Sequence, residues 1–130
     1  MARPRTLHPT PGELEVLHVL WERGPCTVRE VMDASKASRP RGYTSVMSLL
    51  NVMFDKGLLS RKSEGRAYRY APRVRQEATL RRLVHDLLER AFAGSAEELI
   101  AHTLSQTDLT PRQLEDIRKL IDEHRRQKRS

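Results

Sequence analysis

Thr44, Ser48 and Asn51 recur at the i, i+4, i+7 spacing of one helix face, and no lysine or arginine follows Tyr43 until Lys56. Hydroxyls donate or accept, a carboxamide does both, and the methyl groups of Thr44 and Met47 can lie against an apolar group. That combination matches the edges of base pairs in a major groove, where Asn51 is suited to a bidentate pairing with adenine. The surroundings are basic: Arg39 and Arg41 come before, and Arg61, Lys62, Arg66 and Arg69 after. Cations of this kind suit phosphate oxygens, which supply affinity and register but little sequence information. Tyr43, Thr44, Ser45, Met47, Ser48 and Asn51 are therefore the base-reading candidates. Arg39, Arg41, Arg61, Lys62, Arg66 and Arg69 are the phosphate-contacting ones. An ordinary amphipathic surface helix would not explain a neutral face set inside basic flanks.

The charge is localised as this reading requires. The 130-residue chain carries a formal +7, with a pI near 10.2. Residues 36–71 hold 8 Lys/Arg against 2 acids, whereas residues 1–35 hold 4 against 5 and residues 72–130 hold 12 against 10. Nearly all the surplus lies on the segment carrying the candidates, which favours a polyanionic partner.

The elements that must position these residues announce themselves through their starts. Thr10-Pro11-Gly12-Glu13 offers a capping hydroxyl, a proline at the first helical position and an acid able to reach back to the cap. Thr27-Val28-Arg29-Glu30, Ser95-Ala96-Glu97-Glu98 and Thr110-Pro111-Arg112-Gln113 repeat the pattern. The apolar spacing predicts helices over about 11–23, 28–35 and 43–56, the third ending at Gly57. On that third helix Val46, Leu49, Leu50, Met53 and Phe54 form the core face, opposite Thr44, Ser48 and Asn51. "LLSRK" and "AYRYA" read as two strands around a turn centred on Gly65, with Tyr68 and Tyr70 on one face, taken as core, and Arg69 on the other. Further helices are predicted over about 74–92, 96–105 and 111–128, and the terminal "HRRQKRS" reads as a frayed basic end.

Three helices and a hairpin give a mainly α, α+β winged helix-turn-helix domain over 8–72 with a small β-hairpin wing, followed by a helical region over 73–130. Three short amphipathic helices make a thin core alone, so a second copy is expected to cover their stripes. Leu83, Leu87, Leu99, Ile100, Leu114, Ile117, Leu120 and Ile121 are the candidates for that homodimer interface.

Other chemistry finds little support. His8, His18, His85, His102 and His124 show no i, i+4 pairing with another His or with Cys, so no metal and no cofactor is expected. Cys26 is the lone cysteine; its place before a helix cap can lower a thiol pKa, though a small residue in a turn is the plainer reading. No apolar run is long enough to span a bilayer, and "MARPRTLHPT" has no apolar signal core behind it, so no membrane association and a cytoplasmic location are expected. No phosphate loop, nucleophile elbow or acid pair is present, so an enzyme is not expected. The competing reading is a winged helix that docks a protein through the same face. RNA binding ranks below it, because Tyr43 is the one candidate for stacking on this helix.

"TPGELEVLHVLWERGPCTVREVMD", "GYTSVMSLLNVMFDKGLLSRKSEGRAYRYAP" and "ELIAHTLSQTDLTPRQLEDIRKLI" resemble the BlaI/MecI/CopY family of bacterial penicillinase-type repressors, from about residue 8 to 124. Tyr43-Thr44-Ser45-Val46, Lys56-Gly57-Leu58 and Gly65-Arg66-Ala67-Tyr68 carry most of the resemblance. It implies a homodimeric repressor whose N-terminal domain binds a two-fold symmetric double-stranded DNA operator built from TACA/TGTA half-sites, and whose C-terminal helices interlock with the partner's. Many family members carry Arg where this chain has Val52. In the best-known members a sensor protease triggers cleavage at an Asn-Phe pair in the second tail helix. His102-Thr103 stands there in this chain, so release by that route is not expected. The Cys-x-Cys motif of the copper-responsive branch is also missing.

Overall fold

The computed structural model describes residues 8–35 and 41–129. Arg39 lies outside the described residues. The elements are α1 (Pro11–Arg23), β1 (Cys26–Thr27), α2 (Val28–Ser35), α3 (Tyr43–Asp55), β2 (Leu59–Glu64), β3 (Ala67–Pro72), α4 (Gln76–Ala91), α5 (Ala96–Gln106) and α6 (Pro111–Arg129).

Each expected helix forms, and the four start signals act as caps. Thr10 Oγ1 accepts from Glu13 N at 3.2 Å while Glu13 Oε1 accepts from Thr10 N at 3.0 Å. Thr27 and Glu30 exchange the same pair of bonds at α2, and Thr110 and Gln113 do so at α6. Ser95 Oγ accepts from Glu98 N at α5. Each pair pairs amide hydrogens that a helix start otherwise leaves unbonded.

The core of the N-terminal unit joins Val16, Leu17 and Leu20 of α1, Val28 and Val31 of α2, and Val46, Leu50 and Met53 of α3 to Leu58, Leu59 and Tyr70. Leu17, Leu50 and Met53 are fully buried, so truncating any one to Ala would cost about 2–5 kcal/mol. Trp21 Nε1 donates to Val74 O at 3.0 Å, tying α1 to the chain beyond β3. At the end of α3, Gly57 takes φ +88°, a conformation that costs glycine nothing and strains other residues. Leu58 N then bonds back to Met53 O, turning the chain into β2.

The sheet has one strand more than expected. β1 pairs antiparallel with β3 through Cys26↔Tyr70 and Thr27↔Arg69, giving the order β1-β3-β2. Two residues ending in a helix cap carry no periodicity, so β1 exists through its partner alone. β2 and β3 pair from Leu59↔Pro72 to Glu64↔Ala67, leaving Gly65-Arg66 as a two-residue loop. Gly65 has φ +62° and Arg66 does not have positive φ, the pattern of a II′ turn suited to strand twist.

The chain divides into two compact units within α4, between Leu83 and Val84. In the second unit α5 and α6 bury no residue. Val84, Leu87, Ile100, Leu104, Leu114, Leu120 and Ile121 are exposed, Leu120 at 69%. Leu83, Leu99 and Ile117 are half-buried. The basic C-terminus differs from expectation: α6 continues to Arg129, with Arg126, Lys128 and Arg129 in its last turn, where cations oppose the negative end of the helix dipole.

Candidate nucleic-acid interface

Helix α3 turns Val46, Leu50 and Met53 inward and leaves Tyr43, Thr44, Ser45, Met47, Ser48 and Asn51 exposed. Val52 is exposed as well. The neutral face and the core face thus separate as the spacing requires. Gly42 caps the helix without a side-chain bond, and Arg29 of α2 lies over the Tyr43 ring, 5.9 Å from its centroid.

The basic residues separate into two groups. Lys62 and Arg66 are exposed on the wing. Arg41, Arg61 and Arg69 are partly buried against specific partners. Arg41 lies over Gly12, where an added Cβ would meet its Nη2 at 2.9 Å, and forms an ion pair with Glu15. Arg69 donates from Nε and Nη2 to the Glu64 carboxylate, and from Nη1 to Pro25 O at 3.0 Å and Glu30 Oε1 at 3.1 Å. The pairing pushes the Arg69 pKa up, chiefly through the hydrogen bond it donates to Glu64. It holds the Glu64 carboxyl below the usual carboxylate range. Arg69 thereby braces β3 to the wing tip and to the start of α2.

Strand register explains why the arginine strip does not lie on one face. Arg61 stands opposite Tyr70, and Lys62 opposite Arg69. Cross-strand partners share a face, so Arg61 points with the tyrosines toward α3, away from the face of Lys62 and Arg69. Its guanidinium sits between the Phe54 ring, 4.0 Å to the centroid, and the Tyr68 ring, 4.2 Å. Tyr68 is accordingly 43% exposed, not a core residue like Tyr70 at 2%.

Asn51 also faces the wing. Its Oδ1 accepts from Tyr70 Oη at 3.0 Å and from Arg61 Nη1 at 3.4 Å. A carbonyl oxygen has two lone pairs, so pairing with adenine requires Asn51 to release one of these donors. Tyr43, Met47, Asn51, Arg61, Arg66 and Tyr68 line a cleft of about 300 Å³ between α3 and the hairpin. Phe54, Tyr68, Tyr70, Glu30 and Glu64 were not among the sequence candidates. Counting back from the two-residue loop would have set Arg61 opposite Tyr70, but nothing local signals Phe54.

At the other end of α3, Lys56 Nζ bonds Glu13 Oε2 at 2.7 Å. Cys26 is buried, its Sγ 3.3 Å from Gly24 O. Burial, then the Glu30 carboxylate, push its thiol pKa up, opposite to what its place before a helix cap allows. Among the described residues no cluster of His, Cys, Asp or Glu could hold a metal ion, and no helix is long and apolar enough to cross a membrane.

The penicillinase repressor family model matches residues 9–123. The chain is 22% identical over 118 residues to the penicillinase repressor of Bacillus licheniformis, covering 91% of this chain and 92% of that protein. It is 37% identical over 95 residues to the transcriptional regulator BlaI of Mycobacterium tuberculosis, covering 70% and 69%. A solution structure of the DNA binding domain of the repressor BlaI is similar at a TM-score of 0.48 and 24% identity, covering 55% of this chain and 90% of that one. With a match over nearly its whole length, the chain belongs to the penicillinase repressor family of transcriptional regulators.

Proposed function

We propose that this protein is a sequence-specific repressor that binds a two-fold symmetric double-stranded DNA operator as a homodimer. The observation that carries the reading is the exposed neutral face of α3, with Lys62 and Arg66 exposed on the adjacent wing. Thr44, Ser45, Met47 and Ser48, on the first turns of α3, read base edges, since a recognition helix enters the groove by its N-terminal end. Lys62 and Arg66 hold the phosphate backbone. Arg41, Arg61 and Arg69 act first as braces, because each already has partners within the domain. The exposed leucines and isoleucines of α4, α5 and α6 support pairing with a second copy.

Release by cleavage in α5 at the position of the family's Asn-Phe pair is not part of this proposal. His102 and Thr103 occupy it, with His102 Nδ1 against Glu98 O and Thr103 Oγ1 donating to Leu99 O.

The test is selection of duplexes from genomic fragments, followed by salt titration of the selected site. Expected are a palindromic consensus and a steep fall of affinity with salt. Arg66→Ala should lower the salt slope by about 1 without changing base preference, while Ser48→Ala shifts base preference with little change of slope. Uniform affinity for all duplexes, or none, would favour a protein-docking winged helix.

A further inference from the structure

We propose that Arg61 is a pin fixing the wing at one angle to the reading helix, so that Phe54 and Tyr68 set operator specificity through it without touching DNA. The proposal rests on the DNA-binding reading above and adds an indirect determinant to it. Arg61 belongs to β2, Phe54 and Asn51 to α3, and Tyr68 to β3. One guanidinium therefore joins three elements: two rings lie near 4 Å from it, and Nη1 bonds the carboxamide that Tyr70 Oη also holds. Planarity is what the site uses. A guanidinium stacks on rings and donates along its edge, whereas an ammonium on a flexible stem does neither in a fixed direction.

Specific binding needs the helix in the groove and the wing on the backbone at once. If the wing moves relative to α3, ordering it must be included in the cost of the specific complex. Loose electrostatic association with any duplex needs only charge and is not affected by that angle. The pin should therefore appear in the ratio of specific to non-specific affinity, and not in the salt slope.

Three variants separate a pin from a simple phosphate clamp. Arg61→Lys keeps the charge and loses the planar fork. Tyr68→Leu keeps every charge and removes one ring from a half-exposed position. Tyr68→Phe keeps the ring. The full chain is titrated with a duplex it has selected and with a scrambled duplex, over a range of salt. Expected are a fall of about tenfold in the affinity ratio for Arg61→Lys and for Tyr68→Leu, an unchanged salt slope for both, and wild-type behaviour for Tyr68→Phe. Wild-type affinity ratios for Arg61→Lys and Tyr68→Leu would overturn the pin.

In the free protein, ¹⁵N spectra of the arginine side chains should show hindered Nη rotation at Arg61, relieved in Tyr68→Leu. A freely rotating Arg61 would overturn the pin whatever the DNA result. If no duplex is selected, the DNA-binding reading fails, and the specificity role fails with it. The spectra then report separately on whether Arg61 is held.

Discussion

Replacing Lys56 by Met tests how α3 is held against α1. The Glu13 carboxylate is 3% exposed and receives two bonds, from Thr10 N at 3.0 Å and from Lys56 Nζ at 2.7 Å. Methionine keeps the length of the stem and removes the ammonium, leaving a buried carboxylate with one donor. Removing one partner of a fully buried pair costs about 3–5 kcal/mol, and an exposed pair contributes about 0–1 kcal/mol. The Lys56 side chain is 37% exposed, so water recovers part of the loss, and about 2 kcal/mol is expected. Urea unfolding at one fixed protein concentration measures it, with the slope m unchanged. Glu13→Gln removes the charge but keeps an acceptor for Thr10 N, so adding it to Lys56→Met should restore about 1 kcal/mol. A Lys56→Met loss below about 0.5 kcal/mol, or a double variant that loses the sum of the two single changes, would refute the claim that the ammonium neutralises a buried carboxylate.

Leu120→Glu, at a residue 69% exposed, should yield a monomer in sedimentation, with helical content retained and operator affinity sharply reduced; a variant that remained dimeric would remove Leu120 from the interface. Because burial raises its pKa, Cys26 should react with iodoacetamide at neutral pH at least about tenfold more slowly in the folded protein than after urea unfolding, and equal rates would contradict its burial. The lowered Glu64 pKa means that its pairing with Arg69 contributes fully above the usual carboxylate range and is lost as pH falls through the lowered value. Glu64→Gln should therefore be less stable than wild type at neutral pH, with the two curves converging in acid; parallel curves would show that the pair does not couple to stability.

Local chemistry is enough to read the helices, their caps and the two faces of α3. A cap needs partners three residues apart, and a helix face needs 100° per residue, so both are complete within a short segment. The hairpin was legible for the same reason, since its loop is two residues long. What the arginines do is a different kind of question. Arg69 meets Glu30 across 39 residues of sequence, and Lys56 meets Glu13 across 43. A count of charges cannot show whether a cation is already neutralised by an acid that distant in the chain.

Sequence by itself therefore determined the order of the six helices and the hairpin, the neutral polar face of α3 and the surplus of positive charge around it. Tertiary structure alone decided that β1 would exist, that Tyr68 would lie half exposed beside Arg61, and that Lys62 and Arg66 would present their charge outward while three arginines brace the domain. The physical reason is register: which side chains share a face depends on how strands pair and helices pack, and those pairings join residues that no local pattern relates.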